Sequence, residues 1–104
     1  MKIRYNLVWL GEKFLRIFRI LGNPTAYEII HLLARKSRSV EELADLLGLH
    51  ISTVSHVMRN LRNLDIVRYV VKFQERKYWI KERRILRLLA EAEAIVRKFR
   101  TADY

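Results

Sequence analysis

At 104 residues with 51% hydrophobic side chains, the chain is of single-domain size with enough apolar matter for one packed core. Lys and Arg number 21 against 11 Asp and Glu, a formal charge of +10, and this imbalance points to a polyanionic partner, either nucleic acid or an acidic membrane surface. Cysteine is absent, which excludes disulfides, thiolate metal sites and thiol redox chemistry; nothing resembles a signal peptide, and apolar runs such as VVKF and ILRLLA are too short to span a bilayer, so a cytoplasmic protein without a membrane partner is expected.

Residues 1–7 read as an irregular or extended arm. From about Val8 to Leu21 the positions Leu10, Phe14, Ile17, Phe18 and Leu21 fit one face of a helix despite Gly11. Gly22-Asn23-Pro24 interrupts that pattern, and Pro24 suits the first turn of a second helix. Its buried side is expected to be Tyr27, Ile30, Leu33 and Ala34, with an end near Arg35-Lys36. The basic residues Arg35, Lys36 and Arg38 that follow read as a solvated turn.

Ser39-Val40-Glu41-Glu42 has the S-x-x-E form of a capping box, in which the serine oxygen accepts an orphan N–H and Glu42 reaches back. Leu43, Ala44, Leu46 and Leu47 follow, and Gly48 suits a helix C-terminus. The next helix begins at about Ile51. Two short helices joined by a glycine-containing turn form a helix-turn-helix.

The second of these, ISTVSHVMRNLRN at 51–63, has two unlike faces. Val54, Val57, Met58, Leu61 and Leu64 make an apolar stripe, whereas Ser52, His56, Arg59 and Asn63 lie opposite, flanked by Ser55 and Arg62 on one side and Thr53 and Asn60 on the other. No carboxylate occurs in the segment. Charge is also unevenly spread: residues 50–81 hold seven basic groups against two acidic ones, whereas residues 24–49 hold three against four.

After Leu64-Asp65 the period changes from 3.6 to 2. Val67, Tyr69 and Val71 alternate with Arg68, Val70 and Lys72; Gln74-Glu75-Arg76 forms a polar tip without glycine; Lys77-Tyr78-Trp79-Ile80 returns as a second strand. From about Glu82 to Arg100 a final helix carries Ile85, Leu88, Leu89, Ala92, Ile95, Val96 and Phe99 in one stripe. The expected fold is mainly α with a small β-hairpin: a winged helix-turn-helix of five helices with a two-stranded antiparallel wing. Its divisions are 1–23 (arm and first helix), 24–81 (helix-turn-helix and wing) and 82–104 (last helix).

Over residues 17–81 the sequence resembles the ArsR/SmtB family of small dimeric transcriptional repressors. The resemblance rests on Leu21-Gly22-Asn23-Pro24-Thr25, on Val40-Glu41-Glu42-Leu43-Ala44-Asp45-Leu46-Leu47-Gly48-Leu49 and on Ser52-Thr53-Val54-Ser55-His56. Leu61, Ile66-Val67-Arg68 and Tyr78-Trp79 extend it into the wing. Four departures stand out. Ala26 replaces the family's arginine after Pro-Thr, and His50 stands where a serine often caps the recognition helix. The family's cysteine-bearing metal motif is here Glu42-Leu43-Ala44-Asp45-Leu46, and the last helix has no histidine, so neither known route of metal sensing, nor any other cofactor, is expected.

The resemblance implies that Ser52, Thr53, Ser55, His56, Arg59 and Asn63 enter the major groove of double-stranded DNA, where Arg can pair with guanine O6 and N7. A face free of carboxylates is what a phosphate-lined groove requires. Arg68, Lys72, Arg76 and Lys77 on the wing would meet the backbone or the adjacent minor groove. In the resembling family the terminal helices form the dimer interface, which here would comprise Phe14, Ile17, Phe18, Leu21, Ile85, Leu88, Leu89, Ala92, Ile95, Val96 and Phe99. A homodimer would face a pseudo-palindromic operator with two recognition helices about 34 Å apart.

The leading expectation is a sequence-specific regulator, a repressor by promoter occlusion, with an unidentified small-molecule effector left open. Two alternatives stay beside it: a winged-helix protein-interaction module of transcription or replication machinery, and a low-specificity architectural nucleic-acid-binding protein. No Ser/His/Asp set, carboxylate pair or phosphate-binding glycine loop calls for an enzyme.

Overall fold

A computed structural model describes residues 10–103, with side chains through Phe99; the expected arm and the helix start at Val8 lie outside the described residues. The order is α1 (Gly11–Leu21), α2 (Pro24–Arg35), α3 (Val40–Leu47), α4 (Ile51–Asn63), β1 (Val67–Lys72), β2 (Glu75–Ile80) and α5 (Arg84–Asp103). This is the expected winged helix-turn-helix, with five helices and a two-stranded antiparallel hairpin.

Local chemistry explains the boundaries. Pro24 occupies the first turn of α2, and the Asn23 side chain accepts the Ala26 N–H at 3.0 Å, a cap overlooked in the reading of Gly22-Asn23-Pro24 as a break. The Ser39 capping box forms in full: Glu42 N–H donates to Ser39 Oγ at 3.1 Å, and Ser39 N–H donates to Glu42 Oε1 at 3.1 Å. Gly48 closes α3 at φ 66°, ψ 36°, the left-handed region that costs an L side chain about 1–2 kcal/mol. A Cβ there would meet nothing within 4 Å, so the penalty of Gly48→Ala is conformational alone. Chemical denaturation should show a loss of about 1 kcal/mol; an unchanged midpoint would mean that the turn readjusts.

The core gathers one face of each element. Ile29, Ile30, Leu43, Val54, Met58, Leu61, Ile66 and Val67 are fully buried, and Ile20, Tyr78, Ile80, Ile85 and Leu89 close the periphery. The buried stripe of α2 is Ala26, Ile29, Ile30 and Leu33; Tyr27 and Ala34, expected inside, are half-buried at its margin. Leu46 of α3 is likewise exposed. The remaining α3 stripe, Leu43 and Ala44, is enough to fix an eight-residue helix against α4.

Two polar clamps hold the outer elements. The Tyr27 hydroxyl donates to the Glu93 carboxylate, and His31 Nε2 lies 3.1 Å from the same group, fastening α5 to α2. The Tyr27 hydrogen bond, followed by that of His31, holds Glu93 below the usual carboxylate range. At the other end, Asp65 takes a positive φ of 59° in the turn after α4 and binds Arg68 at 3.1 Å and Lys81. Those two partners, Lys81 first, depress the Asp65 carboxyl and tie the start of β1 to the end of β2.

Arg38 corrects the solvated-turn reading. Its backbone pairs with Tyr78, N–H to O at 3.1 Å and O from N–H at 2.8 Å, which adds a one-residue third rung beside β2. Its guanidinium Nε donates to Leu32 O at 3.2 Å. A lone extended residue between helices gives no period for a sequence pattern to detect.

Candidate nucleic-acid interface

Helix α4 is packed on one side and open on the other. Val54, Val57, Met58 and Leu61 are buried, each contributing about 1.5–3 kcal/mol on removal from water. Ser52, Thr53, His56, Arg59 and Asn63 are exposed, and Ser55 is half-buried. The helix contains no Asp or Glu in its 13 residues. His50 makes no side-chain cap, leaving the first N–H groups of α4 without a side-chain acceptor.

Both flanks of the ridge open into clefts. Toward the wing, Ser55, Arg59 and Arg62 border a space of about 390 Å³ shared with Gln74, Glu75 and Arg76. Toward α1, Asn60 and Asn63 border about 270 Å³ shared with Arg16 and Arg19. Arg62 stands at the flank where the helical period puts it, whereas Arg16 and Arg19 are not partners that the sequence pattern indicates. Arg16 and Arg19 come from another helix, and only packing brings them to α4.

The wing is paired from Val67 with Ile80 to Lys72 with Glu75. Its second strand therefore starts at Glu75, and the tip is the two-residue turn Phe73-Gln74, not Gln74-Glu75-Arg76. Both residues have positive φ, 52° and 66°, the signature of a type I′ hairpin turn. Tyr69 stiffens the hairpin from within: the Arg76 guanidinium lies 4.7 Å and that of Arg62 5.5 Å from its ring centre, and the Tyr78 ring is 5.3 Å away.

The four expected wing cations have different surroundings. Lys72 and Arg76 are exposed near the tip. Arg68 is exposed but engaged with Asp65. Lys77 is the exception to its expected role: its ammonium bonds Glu42 of the capping box and lies 3.6 Å from Glu75, so it braces the wing against α3. The Lys77 hydrogen bond, reinforced by the Ser39 N–H, lowers Glu42 from the usual 4.5 to about 2.

A carboxyl depressed on folding supports stability above its unfolded value, and this contribution fades as pH falls from about 4.5 toward about 2. Glu42→Gln keeps the capping geometry and removes the charge. Unfolding midpoints measured from pH 6 to pH 2 should show a shallower acid decline for the variant than for the wild type. Parallel curves would mean that the pair with Lys77 does not form in solution.

The α1 and α5 faces divide between interior and surface. Ile85 and Leu89, expected at an interface between copies, are only 5% and 6% exposed and belong to the protomer's own core. Ile17 and Leu21 pack against that core. Phe14, Phe18, Leu88, Ile95, Val96 and Phe99 remain exposed, as do Ala92 and the additional Leu15. Phe14 and Phe18 pack edge to face with centroids 5.1 Å apart. Among the described residues no helix is long and apolar enough to cross a membrane.

Helix-turn-helix, exposed acid-free helix and hairpin together define a winged helix-turn-helix protein. Residues 23–69 match the family model described as bacterial regulatory protein, arsR family. By its fold the chain is a winged helix-turn-helix protein, and over those residues it is similar to the arsR family.

Solved structures agree over nearly the whole chain. Rv0081 of Mycobacterium tuberculosis is 28% identical with a TM-score of 0.80, covering 95% of this chain and 97% of its own. The domain Mb0332 of Mycobacterium bovis, described as a homodimeric winged helix-turn-helix DNA-binding domain and possible ArsR-family regulator, is 23% identical with a TM-score of 0.79, covering 95% and 93%. The antimony-specific transcriptional repressor AntR is 22% identical with a TM-score of 0.74, covering 97% and 93%. No curated protein sequence matches the chain.

Proposed function

We propose that the protein is a homodimeric transcriptional regulator that binds double-stranded DNA in the cytoplasm and represses by occluding a promoter. The observation that carries this reading is the outer ridge of α4, exposed, free of carboxylates and mounted on four buried apolar side chains. Ser52, Thr53, Ser55, His56, Arg59 and Asn63 enter the major groove, with Arg59 reading a guanine edge and the hydroxyls bonding phosphate or base. Lys72 and Arg76 meet the flanking backbone, and Arg68 holds the wing base through Asp65 while keeping its exposed face toward the duplex. Lys77 serves from behind, as a brace.

The apolar residues left exposed on α1 and α5 support association of two copies. Phe14, Leu15, Phe18, Leu88, Ile95, Val96 and Phe99 amount to more than the scattered surface apolar residues of a monomer. A two-fold axis there presents two ridges to successive major grooves, about 34 Å apart, and so selects a pseudo-palindromic operator.

A salt titration of binding to the DNA upstream of the protein's own gene and to random duplex tests this reading, with sedimentation equilibrium for the dimer. The logarithm of affinity should fall by about 0.9 per phosphate contacted for each tenfold rise in salt. The operator should be preferred by on the order of 10³ or more. Equal affinity for all sequences would favour an architectural protein, and no binding at low salt a protein-interaction module.

A further inference from the structure

The wing tip carries a residue that the protomer does not use. Phe73 is 99% exposed, the most exposed large hydrophobic side chain among the described residues, and therefore contributes nothing to the core. It also sits at φ 52°, in a region that bulky side chains rarely adopt and that Asn or Gly would fill with less strain. Two unfavourable features at one position, with no return inside the protomer, call for a role outside it.

We propose, resting on the DNA-binding reading above, that Phe73 is an apolar wedge which inserts from the minor groove between base pairs flanking the major-groove site. Its surroundings suit that partner. Lys72 precedes it and Arg76 follows across the turn, both exposed, while Gln74 offers a donor and an acceptor beside the ring. The carboxylate nearest the tip, Glu75, lies 3.6 Å from the Lys77 ammonium, which offsets its repulsion of phosphate. Gln74, Glu75 and Arg76 share a cleft with Ser55, Arg59 and Arg62, so the tip stands beside the flank of the α4 ridge. The Tyr69 stack with Arg62 and Arg76 keeps the hairpin stiff enough to deliver the ring to a set distance from α4.

Aromatic and other apolar side chains that enter the minor groove partly unstack one base step and bend the duplex toward the major groove. The wedge favours steps that unstack easily, such as TA or CA/TG, and so adds a preference at positions α4 does not touch. Phe73 thereby extends the recognised site outward on each half.

Phe73→Asn separates this role from a structural one, because Asn accepts the positive φ and should leave the melting temperature unchanged or raised. The probe is a duplex that the wild-type protein selects from a random-sequence library, read by anisotropy and by permanganate reactivity of its thymines. The wild type should expose a reactive thymine at the outer edge of the site; Phe73→Asn should abolish that reactivity and bind about tenfold more weakly, and Phe73→Trp should retain both. Equal binding by wild type and Phe73→Asn would overturn the inference. So would weaker binding by the variant when the wild-type complex shows no reactive base. If the wild type selects no duplex at all, the regulator reading itself fails and takes this inference with it.

Discussion

Replacing Leu61 by alanine should destabilise the protein by about 2–5 kcal/mol, the range for deleting most of a buried leucine side chain and leaving part of its volume empty. Leu61 is fully buried on the inner face of α4, with Val54, Val57 and Met58 on the same stripe, and α4 packs on α2, α3 and β1. Few neighbours can move into the gap, because the wing is tied to α3 by the Lys77–Glu42 pair and to the end of α4 by the Asp65 ion pairs. Against a typical total stability of about 5–15 kcal/mol, the loss is a large fraction. Denaturant unfolding at fixed protein concentration measures it, since association would otherwise mix with the intrinsic term. A loss under about 1 kcal/mol would show that α4 is not seated on the core as described. DNA affinity should fall as well, although Leu61 lies on the buried face opposite the exposed ridge, because the ridge is only as well placed as its inner face is packed.

The opposite pattern is expected for His56→Glu. His56 is exposed on the outer ridge, so stability should stay within about 0.5 kcal/mol of the wild type. Affinity for DNA should drop by several kcal/mol, a hundredfold or more, because a carboxylate would be placed against phosphates in a partly desolvated groove. The loss should appear on operator and random duplex alike, since repulsion by the backbone does not depend on sequence. Arg59→Ala makes the informative contrast, with about 1–3 kcal/mol of discrimination lost at one base position if Arg59 reads a base edge. Undiminished binding by His56→Glu would remove α4 from the interface.

Taken together, these variants separate the two faces of one helix, and the same separation describes how far the sequence could be read. Periodicity located α2, α3, α4 and both strands because each buries one side, and burial imposes a period of 3.6 or 2 on the apolar residues. The ArsR-type pattern, the Ser39 capping box and the C-terminal Gly48 were legible because each is a local hydrogen-bonding or dihedral requirement met within a few residues. The exposed ridge of α4 followed from the same rule, since what is not on the apolar stripe must face outward.

Other features escaped for definite reasons. The wing turn was placed too late because its residues, Phe73 and Gln74, are not the Gly or Asn that positive φ normally selects. Arg38 looked like a loop cation, yet its backbone completes a rung beside Tyr78. The apolar stripe of α5 was assigned as a whole to an interface, but Ile85 and Leu89 close the protomer core while Ile95, Val96 and Phe99 do not. A stripe records that a helix is covered; it does not record by what.

The chain alone therefore determined the order of elements, the acid-free ridge and the resemblance to a family, since these depend on neighbours within a turn or two of each other. Only the folded structure decided that Lys77 braces Glu42 across 35 residues, that Arg16 and Arg19 flank α4, and that Phe73 stands alone at the tip. The reason is physical: a side chain's type is written in the sequence, whereas its partner is chosen by packing between elements distant along the chain, and a lysine has the same codeless charge whether it ends at a carboxylate or in water.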